Sequence, residues 1–153
     1  MRNQRGFTLI ELIVVIVILG ILAATALPRF IGVQDQARQA KLNGAVGAVR
    51  SAAALAHAGA LVQGLAAAAP VLMEGASITM QNRYPTADLL GILAAAQINQ
   101  SGATDFTIAG GGAAAGATVT ISVPGSAVCS FTYQNPAVLG NAPVVTIVAP
   151  ACT

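Results

Sequence analysis

The sequence predicts an α+β fold: a long N-terminal α-helix whose second half packs against an antiparallel β-sheet head, the apolar first half left protruding. Three observations carry this. Residues 12–27 form sixteen consecutive uncharged positions. Apolar residues then recur at helical spacing to about residue 60. The last third alternates apolar with Thr and Ser between Gly- and Pro-rich turns, as strands do.

Composition narrows the function classes. The 153 residues are 56% hydrophobic and only 8% charged, well below the ~25% of an ordinary soluble domain. Beyond residue 50 the charged side chains are Glu74, Arg83, Asp88 and Asp105 alone, and none follows Asp105. So little surface repulsion favours self-association. The net charge of +2 falls to zero once Arg2 and Arg5, which precede the apolar run, are set aside. A clustered basic surface for nucleic acid is absent, so no nucleic-acid partner is expected.

The N-terminal segment reads MRNQRGFTLIELIVVIVILGILAATALPRF, and from Phe7 to Leu27 only Glu11 interrupts the apolar run. At ~1.5 Å per residue it reaches about 30 Å, a hydrocarbon core's width. A cleaved secretory signal would use Arg2 and Arg5 as its basic region and Ala24-Thr25-Ala26 as its cut site, but the run exceeds the usual ~7–15 residues. A single-pass anchor would be oriented by the same arginines, which face the cytoplasm. Neither explains Glu11, an acid that is costly inside a membrane helix.

The string Gly6-Phe7-Thr8-Leu9-Ile10-Glu11, behind a short basic leader and ahead of a long apolar helix, resembles the class III signal of type IV pilins and pseudopilins. The resemblance covers about the first 30 residues. It implies that a prepilin peptidase cuts between Gly6 and Phe7 and methylates the new N-terminus at Phe7. It also implies that Glu11 pairs with the Phe7 amine of a neighbouring subunit during assembly. That amine has an ordinary pKa near 7.7–8.0, and two opposite charges in apolar surroundings offset each other. A pair within one chain, one helical turn apart, is the alternative. The implied partners are other subunits in a homopolymer, the peptidase, and the assembly machinery of the inner membrane. The subunit would sit in that membrane with its N-terminus cytoplasmic before entering an extracellular filament.

Pro28 removes one backbone donor and crowds the preceding turn, and Gly20 is a weak helix former. By the resemblance, 20–28 is a segment that loses helical bonds in the filament; a mild kink in a continuous helix is the alternative. From Phe30 the helix becomes amphipathic, with Leu42, Val46, Val49 and Ala53 on one face. Small residues recur every fourth position from Ala40 to Ala60, at a spacing that lets helices approach closely. The chain therefore divides into a leader (1–6), a membrane and filament-core half-helix (7–29), an amphipathic half-helix (30–60), a region with a short hairpin and helix (61–105), and a sheet with its disulfide-bounded end (106–153).

In the head, Glu74-Gly75 predicts the turn of a hairpin over 71–80. Tyr84-Pro85-Thr86 predicts the start of a helix over 87–98, with Thr86 as N-cap. Gly110-Gly111-Gly112 lacks the Lys-Ser/Thr of a phosphate loop and reads as a turn. Three strands follow, at 119–123, 129–133 and 144–149. Cys129 and Cys152 are an even count beyond an export signal, which predicts a disulfide. The stretch 54–58 and the Met73-Glu74-Gly75 hairpin ahead of Tyr84-Pro85 resemble the mannose-sensitive haemagglutinin-type pilins, from which the loop 110–116 departs.

No catalytic, metal or cofactor site is expected. His57 is the sole histidine and lies in a helix without a nearby acid, which suits a packing role. Glu74, Asp88 and Asp105 are scattered, unlike a calcium site. Asn99-Gln100-Ser101 matches a glycosylation sequon. The function so implied is a structural pilus subunit for attachment or motility. The alternative is a pseudopilin of a type II secretion system, whose main subunit typically lacks a C-terminal disulfide. An anchored periplasmic enzyme finds no supporting constellation.

Overall fold

The computed structural model describes residues 7–98, 105–125, 128–148 and 152. Residues 1–6, expected as a leader ending at Gly6, and the sequon at Asn99 lie outside them. The chain divides after Gln36 into two units.

Helix α1 runs Leu9–Val62 without a break. In the first unit every side chain from Phe7 to Ala26 is exposed, and Leu9–Ala26 is long and apolar enough to cross a membrane. Helical stability here comes from local bonds alone. In the second unit the helix buries Leu42, Ala45, Val46, Val49, Ala52, Ala53, Ala56 and Ala60, one stripe at the 3.6-residue period. Ala40 and Gly44 are exposed. A four-residue repeat drifts around a helix of 3.6 residues per turn, so the small-residue series enters the core only from Ala52 onward.

The head is a four-stranded antiparallel sheet in the order β5-β6-β7-β8, formed by Thr107–Gly110, Thr118–Ser122, Ser130–Gln134 and Val144–Ile147, with two small hairpins before it. Val119, Ile121, Phe131 and Tyr133 are fully buried in one cluster with Leu42, Val46 and Val49 of α1, because alternate strand residues share a face. Thr118, Thr120, Thr132 and Gln134 point the other way. A smaller cluster joins Ala56 and Ala60 to Val71, Ile78 and Met80. Cys129 and Cys152 are joined in a disulfide, both buried. Closing 23 residues of separation contributes about 3 kcal/mol by loop entropy.

The first hairpin, β1 Val71–Met73 with β2 Ala76–Ile78, turns at Glu74-Gly75 as expected; both turn residues have positive φ, the geometry of a type I′ turn. Three expectations need correction. Tyr84-Pro85 is strand β4, not a helix start: it pairs with β3, Met80–Gln81, through a turn at Asn82 and Arg83, both at positive φ. Asn-Arg is a poor signal for a turn that ordinarily takes Asn-Gly.

The helix predicted over 87–98 contracts to α2, Ile92–Ala95, and Thr86 does not cap it. Ala87 instead exchanges two backbone hydrogen bonds with Gly112, 3.1 and 2.9 Å. The buried Thr86 hydroxyl bonds the Thr79 hydroxyl and the Asp88 carboxylate. Asp88 also accepts the Gly91 N–H at 2.8 Å, and a Cβ on Gly91 would lie 2.2 Å from the Thr86 carbonyl oxygen. The third correction is β5, a strand ahead of the three expected from residue 119 onward; the turn expected at Gly110-Gly111-Gly112 follows directly on it. Its Ala and Gly carry little strand preference; pairing to β6 determines it. Gly111, at φ 99°, permits the Ala87 carbonyl to approach to 2.4 Å of where a Cβ would stand.

The Tyr133 hydroxyl donates to the Pro85 carbonyl at 2.8 Å, and burial, aided by nearby Tyr84, pushes its pKa well above the usual value. Above about pH 10 the unfolded phenol ionises while the folded one stays protonated. The stability held below that pH therefore declines as alkali rises. Tyr133→Phe should flatten this alkaline decline and lower stability at neutral pH by about 1–3 kcal/mol, since the Pro85 carbonyl loses its donor. Circular dichroism melts from pH 7 to 11 read both.

Candidate assembly site

The chemistry-bearing residues of the first unit gather at the start of α1. Thr8 stands just before the helix, and its hydroxyl accepts the Glu11 N–H at 3.3 Å. Glu11 reaches back: Oε2 accepts the Thr8 N–H at 2.9 Å and the Thr8 hydroxyl at 2.8 Å. This reciprocal arrangement is a capping box, Thr-x-x-Glu, which satisfies donors that a helix start otherwise leaves open. Among the described residues Glu11 Oε1 has no partner. Phe7, Ile10, Val14 and Val15 surround the carboxylate along a shallow groove, so one oxygen is held locally and one faces outward from an apolar wall.

Thr8 was missed as a functional residue, although Thr8-Leu9-Ile10-Glu11 spells the capping signature openly. The structure does bring Phe7 and Glu11 to one wall. A free amine on Phe7 would require cleavage of the Gly6–Phe7 peptide bond.

Gly20 and Pro28 lie within the unbroken helix. Pro28 has no N–H, so the Ala24 carbonyl one turn back lacks its helical donor. The Thr25 hydroxyl caps the neighbouring Leu22 carbonyl at 3.0 Å. A Cβ at Gly20 would meet nothing within 4 Å, so the glycine answers to no close contact within the chain. His57 packs as expected: its ring stacks on Tyr84 at 4.1 Å, and Nδ1 donates to the Arg83 carbonyl at 2.9 Å. Among the described residues no three His, Cys, Asp or Glu side chains gather around a common point.

The arrangement defines a class: an α+β protein whose N-terminal helix presents an exposed apolar surface from Phe7 to Ala26. The prokaryotic N-terminal methylation motif matches residues 1–27. The chain is similar to the type IV narrow pilus major component of Thermus thermophilus, 57% identical over 54 residues, or 35% of this chain and 47% of that one. It is similar to the type IV major alpha-pilin of Moraxella bovis, 39% identical over 82 residues, covering 54% and 47% of the two chains. It is also similar to the type II secretion system core protein G of Pseudomonas aeruginosa, 49% identical over 51 residues, 33% and 36%. The chain thus spans about half the length, or less, of these curated relatives. No solved structure matches it.

Proposed function

We propose that this chain is the structural subunit of a type IV pilus, not an enzyme. The supporting observation is the exposed apolar helix that begins two residues after Phe7 and carries Glu11 in its first turn. Eighteen exposed apolar-rich residues need a hydrocarbon environment or copies of themselves. In the proposed sequence the helix rests in the inner membrane with its N-terminus cytoplasmic. The prepilin peptidase cuts after Gly6 and methylates Phe7. The new ammonium then pairs with the outward oxygen of Glu11 on a neighbouring subunit. The Gly20–Pro28 stretch extends once lateral packing replaces its backbone bonds, and the assembly machinery moves the subunit into a surface filament for attachment or motility.

A pseudopilin reading draws on the relatives named core protein G. The buried Cys129–Cys152 disulfide favours the pilus, as does the similarity to the Moraxella pilin, which covers 54% of this chain. The narrower likeness to mannose-sensitive haemagglutinin-type pilins rests on residues 54–58 and 73–75 and gains nothing from these relatives.

Electron microscopy of shear-released surface material, with N-terminal mass spectrometry, tests the assignment. The expected result is extracellular fibres whose subunit begins at N-methylated Phe7. Absence of fibres containing this chain under piliating conditions removes the pilus reading. Gly6→Leu should leave the leader uncut and the surface free of fibres. A subunit still beginning at Phe7 in that variant would remove the peptidase assignment.

A further inference from the structure

Among the described residues no strand pairs with the outer edge of β8, and a groove lies beside it. The Val148 N–H donates to the Ser130 carbonyl at 3.0 Å. In an antiparallel ladder hydrogen-bonded pairs alternate, so from the register Thr132/Thr146 and Gln134/Val144 are the next bonded pairs. The backbone N–H and C=O of Val145 and Ile147 therefore point away from β7. No charge or proline lies within β8 itself, the usual protection of an edge; Pro143, just before it, lines the groove and limits an incoming strand to the positions from Val145 onward.

Alongside lies a groove of about 530 Å³ between β8 and α1, lined by Arg50, Ala53, His57, Tyr84, Val144 and Val145. Its floor is the stacked His57–Tyr84 pair, held by the Arg83 carbonyl on His57 Nδ1. Its rim carries Arg50, which no hydrogen bond or ion pair holds among the described residues. No acidic side chain lines the groove. A cation without a partner beside unused strand donors and acceptors suits one kind of ligand.

We infer that β8 accepts an extended peptide segment of a partner protein by strand addition, with a carboxylate side chain of that segment bound by Arg50. The backbone of Val145 and Ile147 supplies main-chain hydrogen bonds. Alternate side chains of the added strand enter the groove over Tyr84 and His57, where they give selectivity. A guanidinium fits this role because its planar fork matches a carboxylate. The site uses residues of the second unit, whereas the proposed assembly rests on the apolar residues Phe7–Ala26 of the first, so its test is independent of filament formation.

The test uses the full chain in detergent and the blocked peptide acetyl-SESVTVS-amide, which places Glu and two Val on one strand face. Calorimetry should show saturable binding. Changing the peptide's Glu to Gln, or the protein's Arg50→Gln, should weaken it about tenfold or more, the range for a hydrogen bond to a charged group. Two further peptides carry backbone N-methyl groups on alternating residues, one on each set. One of the two should lose binding, because only one set of N–H groups faces β8. This arm needs no protein variant, so misfolding cannot obscure it. The inference is overturned if the parent peptide does not bind, if Gln matches Glu, or if both methylated peptides bind as well as the parent. It is equally overturned if the edge proves to pair only with a second copy, seen as self-association that excess peptide does not displace.

Discussion

Glu11→Val leaves the chain inserted and cleaved but costs roughly an order of magnitude or more of fibre yield, because an ammonium enters an apolar interface without its partner. The capping box makes a sharper comparison possible. Glutamine serves in a capping box almost as well as glutamate, so Glu11→Gln keeps the local bonds to Thr8 while removing the charge. Thr8→Ala does the reverse, keeping the charge and removing the hydroxyl. If the cross-subunit pair governs assembly, Glu11→Gln resembles Glu11→Val in fibre yield and Thr8→Ala stays near the parent. If Glu11→Gln forms fibres normally and Thr8→Ala does not, Glu11 acts on its own helix start and the ion pair falls. Sheared-fibre yield, measured with membrane levels of cleaved subunit, decides between them.

Phe131→Ala should destabilise the head by about 3–5 kcal/mol, the range for removing a buried aromatic. Phe131 is fully buried and sits on β7 between Ile121 of β6 and Ile147 of β8. It faces the helix stripe in the main cluster. Against a total of about 5–15 kcal/mol for a domain, this loss is large, and at roughly 2–4 °C per kcal/mol the melt should fall by about 10 °C. Thr132→Ala, one residue on and facing the opposite way, should cost less than about 1 kcal/mol. Thermal melts of the detergent-solubilised chain followed by far-UV dichroism check both. Equal losses would mean that the sheet does not bury the face described.

Much of the fold was legible because its signals are periodic. Leu42, Val46, Val49 and Ala53 occupy the helix stripe that their spacing predicts, and Val119, Ile121, Phe131 and Tyr133 the strand face. The region between residues 80 and 112 was not legible. Its backbone and side chains answer to distant partners: Ala87 to Gly112, Ile92 N–H to the Thr86 carbonyl at 2.8 Å, and the Asn82 side-chain amide to the Pro136 carbonyl at 2.8 Å. Such bonds span from six to more than fifty residues and leave no local pattern. Tyr84-Pro85-Thr86 had the residue types of a helix start, yet long-range pairing overrode the preference.

By itself the sequence determined the length and apolar character of the N-terminal helix, the methylation-motif match at its start, and the sheet-forming alternation of the C-terminal third. Each follows from residue type and spacing along a short stretch. Only the tertiary structure decided that Glu11 closes a capping box with Thr8, that β5 joins the sheet, and that Asp88 gathers the Thr79 and Thr86 hydroxyls with the Gly91 N–H. It alone left the outer edge of β8, among the described residues, without a paired strand. Those outcomes depend on which backbone groups remain unpaired after the core has formed, a balance struck across the whole chain.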